Sequence, residues 1–110
     1  MTARTFHDKM VEYLYEYQEY LLLVKSDGSA VSHYTILHEL INYIYNYHLV
    51  SNLDQITVSM VNSKFRADYK RRNPEIIDTE TMQKIIKGYF VFLYGKYGIK
   101  NEKIMRGLEK

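Results

Sequence analysis

The chain has no cysteine, which excludes disulfides, thiolate metal sites and a thiol nucleophile. That absence fits a reducing compartment. Long apolar runs are missing too. The longest, Tyr20-Leu21-Leu22-Leu23-Val24, falls far short of the ~20 residues that span a bilayer. The N-terminus carries Arg4, His7, Asp8 and Lys9 with no apolar signal region, so the sequence predicts a cytoplasmic protein. Catalytic signatures are lacking as well: there is no Gly-rich phosphate loop, HExxH or GxSxG. A nucleophilic tyrosine acting on DNA needs arginines and a histidine clustered around the phosphate, and arginine is scarce here. His33 and His38 stand five residues apart, a spacing that does not align two ligands on one helical face. Glu12, Glu16 and Glu19 share a helix surface, but nothing near them signals the burial a general acid needs. The sequence therefore predicts no enzyme, metal, cofactor or small-molecule substrate.

One proline and five glycines in 110 residues leave room for long helices. The length predicts a single helical domain over 1–110. Phe6, Met10, Leu14, Tyr17, Leu21 and Val24 recur at three- and four-residue steps, the stripe of a first helix. Its expected start is Thr5 with Asp8, and its expected stop is Ser26-Asp27-Gly28-Ser29. A second helix is expected from about Ser32 to His48, with Leu37, Leu40, Ile41 and Ile44 at its centre. Tyr34, Tyr43, Tyr45 and Tyr47 widen its apolar arc, which predicts burial on several sides. On its wheel His33 and His48 fall toward the core and His38 toward solvent. Leu53-Asp54-Gln55-Ile56 reads as an anchoring turn and Thr57 as a cap, followed by a stripe of Val58, Val61, Phe65 and Tyr69. That third helix must stop near Lys70-Arg71-Arg72-Asn73-Pro74. Asp78 or Thr79 is expected to cap a fourth helix with Met82, Ile85, Ile86, Tyr89, Phe90 and Leu93 inside. Gly98 and Ile99 are expected to close it, and Asn101 to open a short fifth helix through Leu108. The fold class is all-α: a four-helix bundle plus a short C-terminal helix.

Charge is split unevenly along this pattern. Residues 1–55 carry three basic against seven acidic residues, a net of −4, and residues 56–110 carry twelve against six, a net of +6. A basic surface is the electrostatic footprint of a nucleic-acid binder, because phosphate neutralisation releases counterions. An acidic, tyrosine-rich half suits a protein partner.

Two surfaces follow. On the fourth helix Gln83, Lys84, Lys87, Val91 and Tyr94 lie opposite the core positions, with amide and cationic groups within one turn. Lys64, Arg66, Lys70, Arg71 and Arg72 decorate the third helix and its exit; Lys96, Lys100, Lys103 and Arg106 follow. One lysine alone is an ordinary solvated charge, whereas the set predicts a surface that contacts DNA, single- or double-stranded. Tyr94 is placed to stack on unpaired bases, while Tyr69 and Tyr97 occupy core-like positions. On the first helix Val11, Tyr15 and Leu22 form a second apolar stripe about 120° from the core stripe. Flanked by glutamates, it reads either as a partner-docking site or as a face the bundle itself covers.

Helices two to four resemble the SAM-like core-binding domain of tyrosine recombinases (phage-type integrases). The matching stretches are Ser32-His33-Tyr34-Thr35-Ile36-Leu37-His38-Glu39-Leu40-Ile41 and Leu53-Asp54-Gln55-Ile56-Thr57. They continue with Thr81 and with Ile86-Lys87-Gly88-Tyr89-Phe90-Val91-Phe92-Leu93-Tyr94 before Gly98-Ile99. The resemblance implies a SAM-like four-helix bundle whose second and fourth helices face DNA. That would place Ser32, His33, Thr35, Gln83, Lys84 and Lys87 near the duplex. A recombinase continues beyond the Asn101 region into a catalytic domain, whereas this sequence ends at Lys110, so the expectation is a DNA-clamping module without cleaving chemistry. The Lys-, Tyr-, Asn- and Ile-rich composition resembles that of a low-GC Gram-positive mobile element. In overall character the chain is similar to the small helical proteins encoded beside an A-family DNA polymerase in staphylococcal cassette chromosome elements. This likeness implies a polymerase partner. The sequence thus points to a non-catalytic accessory protein of mobile-element DNA replication that docks on a DNA polymerase or primase. The alternatives are a free-standing DNA-binding regulator or excision factor, and a pure protein-interaction module or inhibitor.

Overall fold

A computed structural model describes residues 2–24, 27–52, 55–72 and 79–98. Among them are four α-helices and no strand: α1 (Ala3–Val24), α2 (Asp27–His48), α3 (Phe65–Arg72) and α4 (Thr79–Tyr97). A π-helical turn, Met60–Lys64, leads directly into α3. None of these helices is long and apolar enough to cross a membrane. The chain divides into two compact units, Met1–Asn52 and Leu53–Lys110. The expected fifth helix, Asp78 and Ile99 lie outside the described residues, as do Leu53 and Asp54 of the anchoring turn.

In the first unit α1 and α2 pack along each other as an antiparallel hairpin. His7 near the start of α1 reaches Asn42 and Tyr45 late in α2, while Tyr15 stacks on Tyr34 further back. The start of α1 lies three residues earlier than the sequence suggests. Thr2, not Thr5, is the cap: its Oγ1 accepts from the Thr5 amide at 3.1 Å, and its carbonyl accepts from the Phe6 amide at 3.0 Å. The expected stripe is buried from Phe6 through Leu21, but Val24 is exposed. It sits in the last turn at the hairpin tip, where none of the α2 side chains described over residues 31–35 is buried. α2 begins at Asp27, well before the expected Ser32, and takes Gly28 into its first turn. One glycine inside a helix costs only about 1 kcal/mol.

The buried face of α2 is narrower than expected: Ile36, Leu37, Leu40, Ile41 and Ile44. Tyr34, Tyr43 and Tyr45 are half-buried flanks and Tyr47 is exposed. A phenol tolerates that border because its ring packs while its hydroxyl stays near water. α2 closes on Leu49, whose φ of 49° is left-handed and whose amide donates to the Ile44 carbonyl at 3.1 Å. A leucine incurs a steric cost there that glycine does not, and this one is also 66% exposed. Leu49→Gly is therefore expected to stabilise the chain by about 1 kcal/mol. A raised midpoint in urea denaturation checks it; an unchanged or lowered midpoint contradicts the strain argument.

In the second unit Ile56 is buried, and Thr57 caps the helical run as expected. Its Oγ1 accepts from the Met60 amide at 3.2 Å. Val61, Phe65 and Tyr69 are buried and Val58 is half-buried. Four-residue steps drift around an α-helix, and the wider π turn between Val61 and Phe65 offsets that drift. This is why one line of side chains stays inside. α3 is described through Arg72, and the expected stop at Asn73-Pro74 lies outside the described residues. On α4 Met82, Ile85, Ile86, Tyr89, Phe90 and Leu93 are all buried, as the periodicity predicts. Gly98 ends it in the left-handed region, φ 67°, with its amide on the Tyr94 carbonyl at 3.0 Å.

Candidate nucleic-acid interface

The outward stripe of α4 carries the residues of that helix that the sequence leads one to expect at DNA. Lys84 and Tyr94 are exposed, and Gln83 and Lys87 are half-exposed. Val91 and Gly95 continue the stripe at the surface toward the end of the helix. This face points outward because the opposite face carries the whole buried row from Met82 to Leu93. One carboxylate intrudes: Glu80 Oε1 lies 3.2 Å from Lys84 Nζ, with both side chains well exposed. Such a pair contributes only about 0.3–0.5 kcal/mol, so a phosphate can compete for the lysine. The i, i+4 spacing made the pair legible in advance.

The second group of residues expected at DNA sits on the π turn and α3. Lys64 and Lys70 are exposed and Arg66 is half-buried. Arg71 and Arg72 are not simply solvated. Both reach back to Asp68, whose carboxylate is only 8% exposed: Arg71 Nη2 lies 2.6 Å from Oδ1, and Arg72 Nε and Nη2 lie 2.9 and 2.8 Å from Oδ2. The trio has a local charge of +1, where the two arginines alone would give +2. Asp68 stands at i, i+3 and i, i+4 from the two arginines, the spacing by which the sequence signals this cluster.

Asp68→Asn is expected to act in two opposite directions. It should lower stability by about 1–2 kcal/mol, because the arginines lose their charge-assisted partner while remaining partly solvated. It should also strengthen non-specific DNA binding, since the local positive charge doubles. A urea melt and a DNA titration measure the two effects. Affinity that fails to rise removes Arg71 and Arg72 from the interface.

Ser32 and Thr35 are both exposed on α2, in the other compact unit. The Thr35 hydroxyl donates to the Val31 carbonyl at 2.9 Å. Its only proton is thereby engaged, and a phosphate oxygen needs a donor.

The α1 stripe expected to dock a partner is partly covered. Val11 is half-buried, while Tyr15 and Leu22 are exposed. Tyr15 stacks on Tyr34 at 5.8 Å. Burial and the neighbouring Tyr15 push the Tyr34 phenol up to about 12. Leu23 and Val24, beside Leu22, add exposed apolar surface. Glu12 and Glu19 are exposed beside the stripe, and Lys9 Nζ pairs with Glu12 at 3.6 Å.

The histidines are structural in their surroundings. His38, expected toward solvent, is half-buried: it stacks on Tyr34 and accepts through Nδ1 from Asn42 at 3.2 Å. The same Asn42 side chain binds His7 Nε2 at 2.7 Å, joining the two helices through one amide. His33 is half-buried, and His48, also half-buried, meets the Tyr43 hydroxyl at 3.3 Å. Among the described residues no three His, Asp or Glu side chains come together in a way that would hold a metal ion. No family model, curated protein or solved structure matches the chain.

Proposed function

We propose that the chain is a non-catalytic DNA-binding accessory protein of mobile-element DNA replication. Its second unit holds template DNA, and its first unit docks on a DNA polymerase or primase. One observation carries the reading: the charge boundary coincides with the boundary between the compact units. Met1–Asn52 holds three basic and six acidic residues, a net of −3, and Leu53–Lys110 holds twelve and seven, a net of +5. Charge segregated by folded unit supports two surfaces with two kinds of partner. The SAM-like bundle belongs to this reading; the all-helical fold and the Thr57 cap support it.

The test is a nuclease-treated affinity pull-down from the native host, paired with salt-titrated DNA binding by the purified chain. Recovery of a polymerase or primase, with DNA affinity that falls steeply as salt rises, supports the proposal. A second reading, a pure protein-interaction module, draws on the exposed Leu22, Leu23 and Val24. It requires that the chain bind no DNA even at low salt.

A further inference from the structure

We infer that the outward stripe of α4 holds a single strand and not a duplex, with bases on Tyr94 and phosphates on Lys84 and Lys87. The inference rests on the reading that the second unit binds DNA and narrows it to one form of the nucleic acid.

At about 100° per residue, Gln83, Lys84, Lys87, Val91, Tyr94 and Gly95 fall within an arc of roughly 120°. With a rise of 1.5 Å per residue, Lys84 and Tyr94 stand about 15 Å apart along the axis. The stripe has two unlike halves. The first holds the amide and the two lysines, with Glu80 against Lys84 at 3.2 Å. The second, from Val91 to Gly95, carries no charge. The neighbouring cation lies over aromatic rings: Lys96 Nζ is 5.6 Å from the centroids of both Phe92 and Tyr97.

A duplex offers this face an outer wall of phosphates, and its affinity grows with the number of phosphates neutralised. Two lysines are a poor match for that wall, and the uncharged half has little to offer it. A single strand has unpaired bases as well. The Tyr94 ring is 46% exposed, and a Cβ added at Gly95 would meet nothing within 4 Å. The helix backbone beside the phenol is therefore open ground on which a flat base can lie. Base–aromatic stacking contributes per base and tolerates any sequence, so it supplements the weak charge.

The experiment titrates the full chain against a labelled oligothymidine and a hairpin duplex at low salt, following fluorescence anisotropy. The wild type is expected to prefer the strand. Tyr94→Ala should weaken the strand complex about 5- to 150-fold while changing duplex affinity less than about twofold. Tyr94→Phe, which keeps the ring, should retain strand binding. Thermal melts of both variants confirm that an exposed substitution leaves the fold intact. Equal losses on both probes, or none on either, overturn the inference and leave DNA binding by the unit standing. A loss in Tyr94→Phe as large as in Tyr94→Ala also overturns it, because the hydroxyl would then be serving a phosphate. A wild type that binds neither probe removes the DNA reading itself.

Discussion

Replacing Phe65 by alanine is expected to cost about 3–5 kcal/mol, the usual penalty for emptying a fully buried aromatic site. Phe65 is the first residue of α3, is fully buried, and lies between Val61 and Tyr69 on the inner line, with its ring 5.8 Å from that of Tyr69. The cavity left behind has few ways to collapse. Val61 sits in the π turn whose register is held by the Thr57 cap, and the Tyr69 ring is already fixed on the next turn. Against a total stability of roughly 5–15 kcal/mol, the loss should bring the denaturation midpoint close to ambient conditions. Far-ultraviolet circular dichroism through a urea series measures it. Val91→Ala, on the exposed side of α4, is the comparison and should move stability by no more than about 0.5 kcal/mol. A Phe65→Ala loss as small as that would mean the inner line of the second unit is not packed as described.

Reversing Lys84 and Lys87 together to glutamate is expected to weaken DNA binding at least about tenfold at low salt, or ~1.4 kcal/mol. The slope of log affinity against log salt should become shallower by about 2, roughly one unit for each phosphate no longer neutralised. The fold should survive. The broken pair with Glu80 and the new like-charge neighbour each amount to only about 0.2–0.5 kcal/mol on an exposed helix face. Net charge alone would also weaken binding, so the control is a double reversal of Arg4 and Lys9. Both lie in the first unit and both are exposed, and reversing them changes the total charge by the same amount. If the two double variants lose affinity equally, binding follows bulk charge and the α4 face is not the interface. If only the α4 variant loses it, the positive charge acts locally.

Much of the helical architecture was legible because one physical rule dominates it. Residues at three- and four-residue steps share a helix face, and a chain with one proline gives that rule long uninterrupted stretches. The buried rows of α1 and α4 follow it almost residue for residue, and the Thr57 cap and the stop at Gly98 follow from local backbone chemistry. The helix starts were less legible. Thr2 and Thr5 both have capping side chains, and an aspartate with glycine reads equally well as a loop or as a first turn. The π turn left no trace in the pattern. It alters the angle between residues without altering their order.

The candidate site divides the same way. Which residues are cations, and that they concentrate after residue 55, is a property of the sequence alone. So is the absence of a thiol, because no fold can supply a residue the chain lacks. What the tertiary structure decided is what each charged or polar group meets. Asp68 is buried between two arginines, Asn42 joins His7 to His38, and the ground beside Tyr94 is open at Gly95. Side-chain chemistry is written one residue at a time. Its partners and its exposure to water depend on distances between residues that only folding sets.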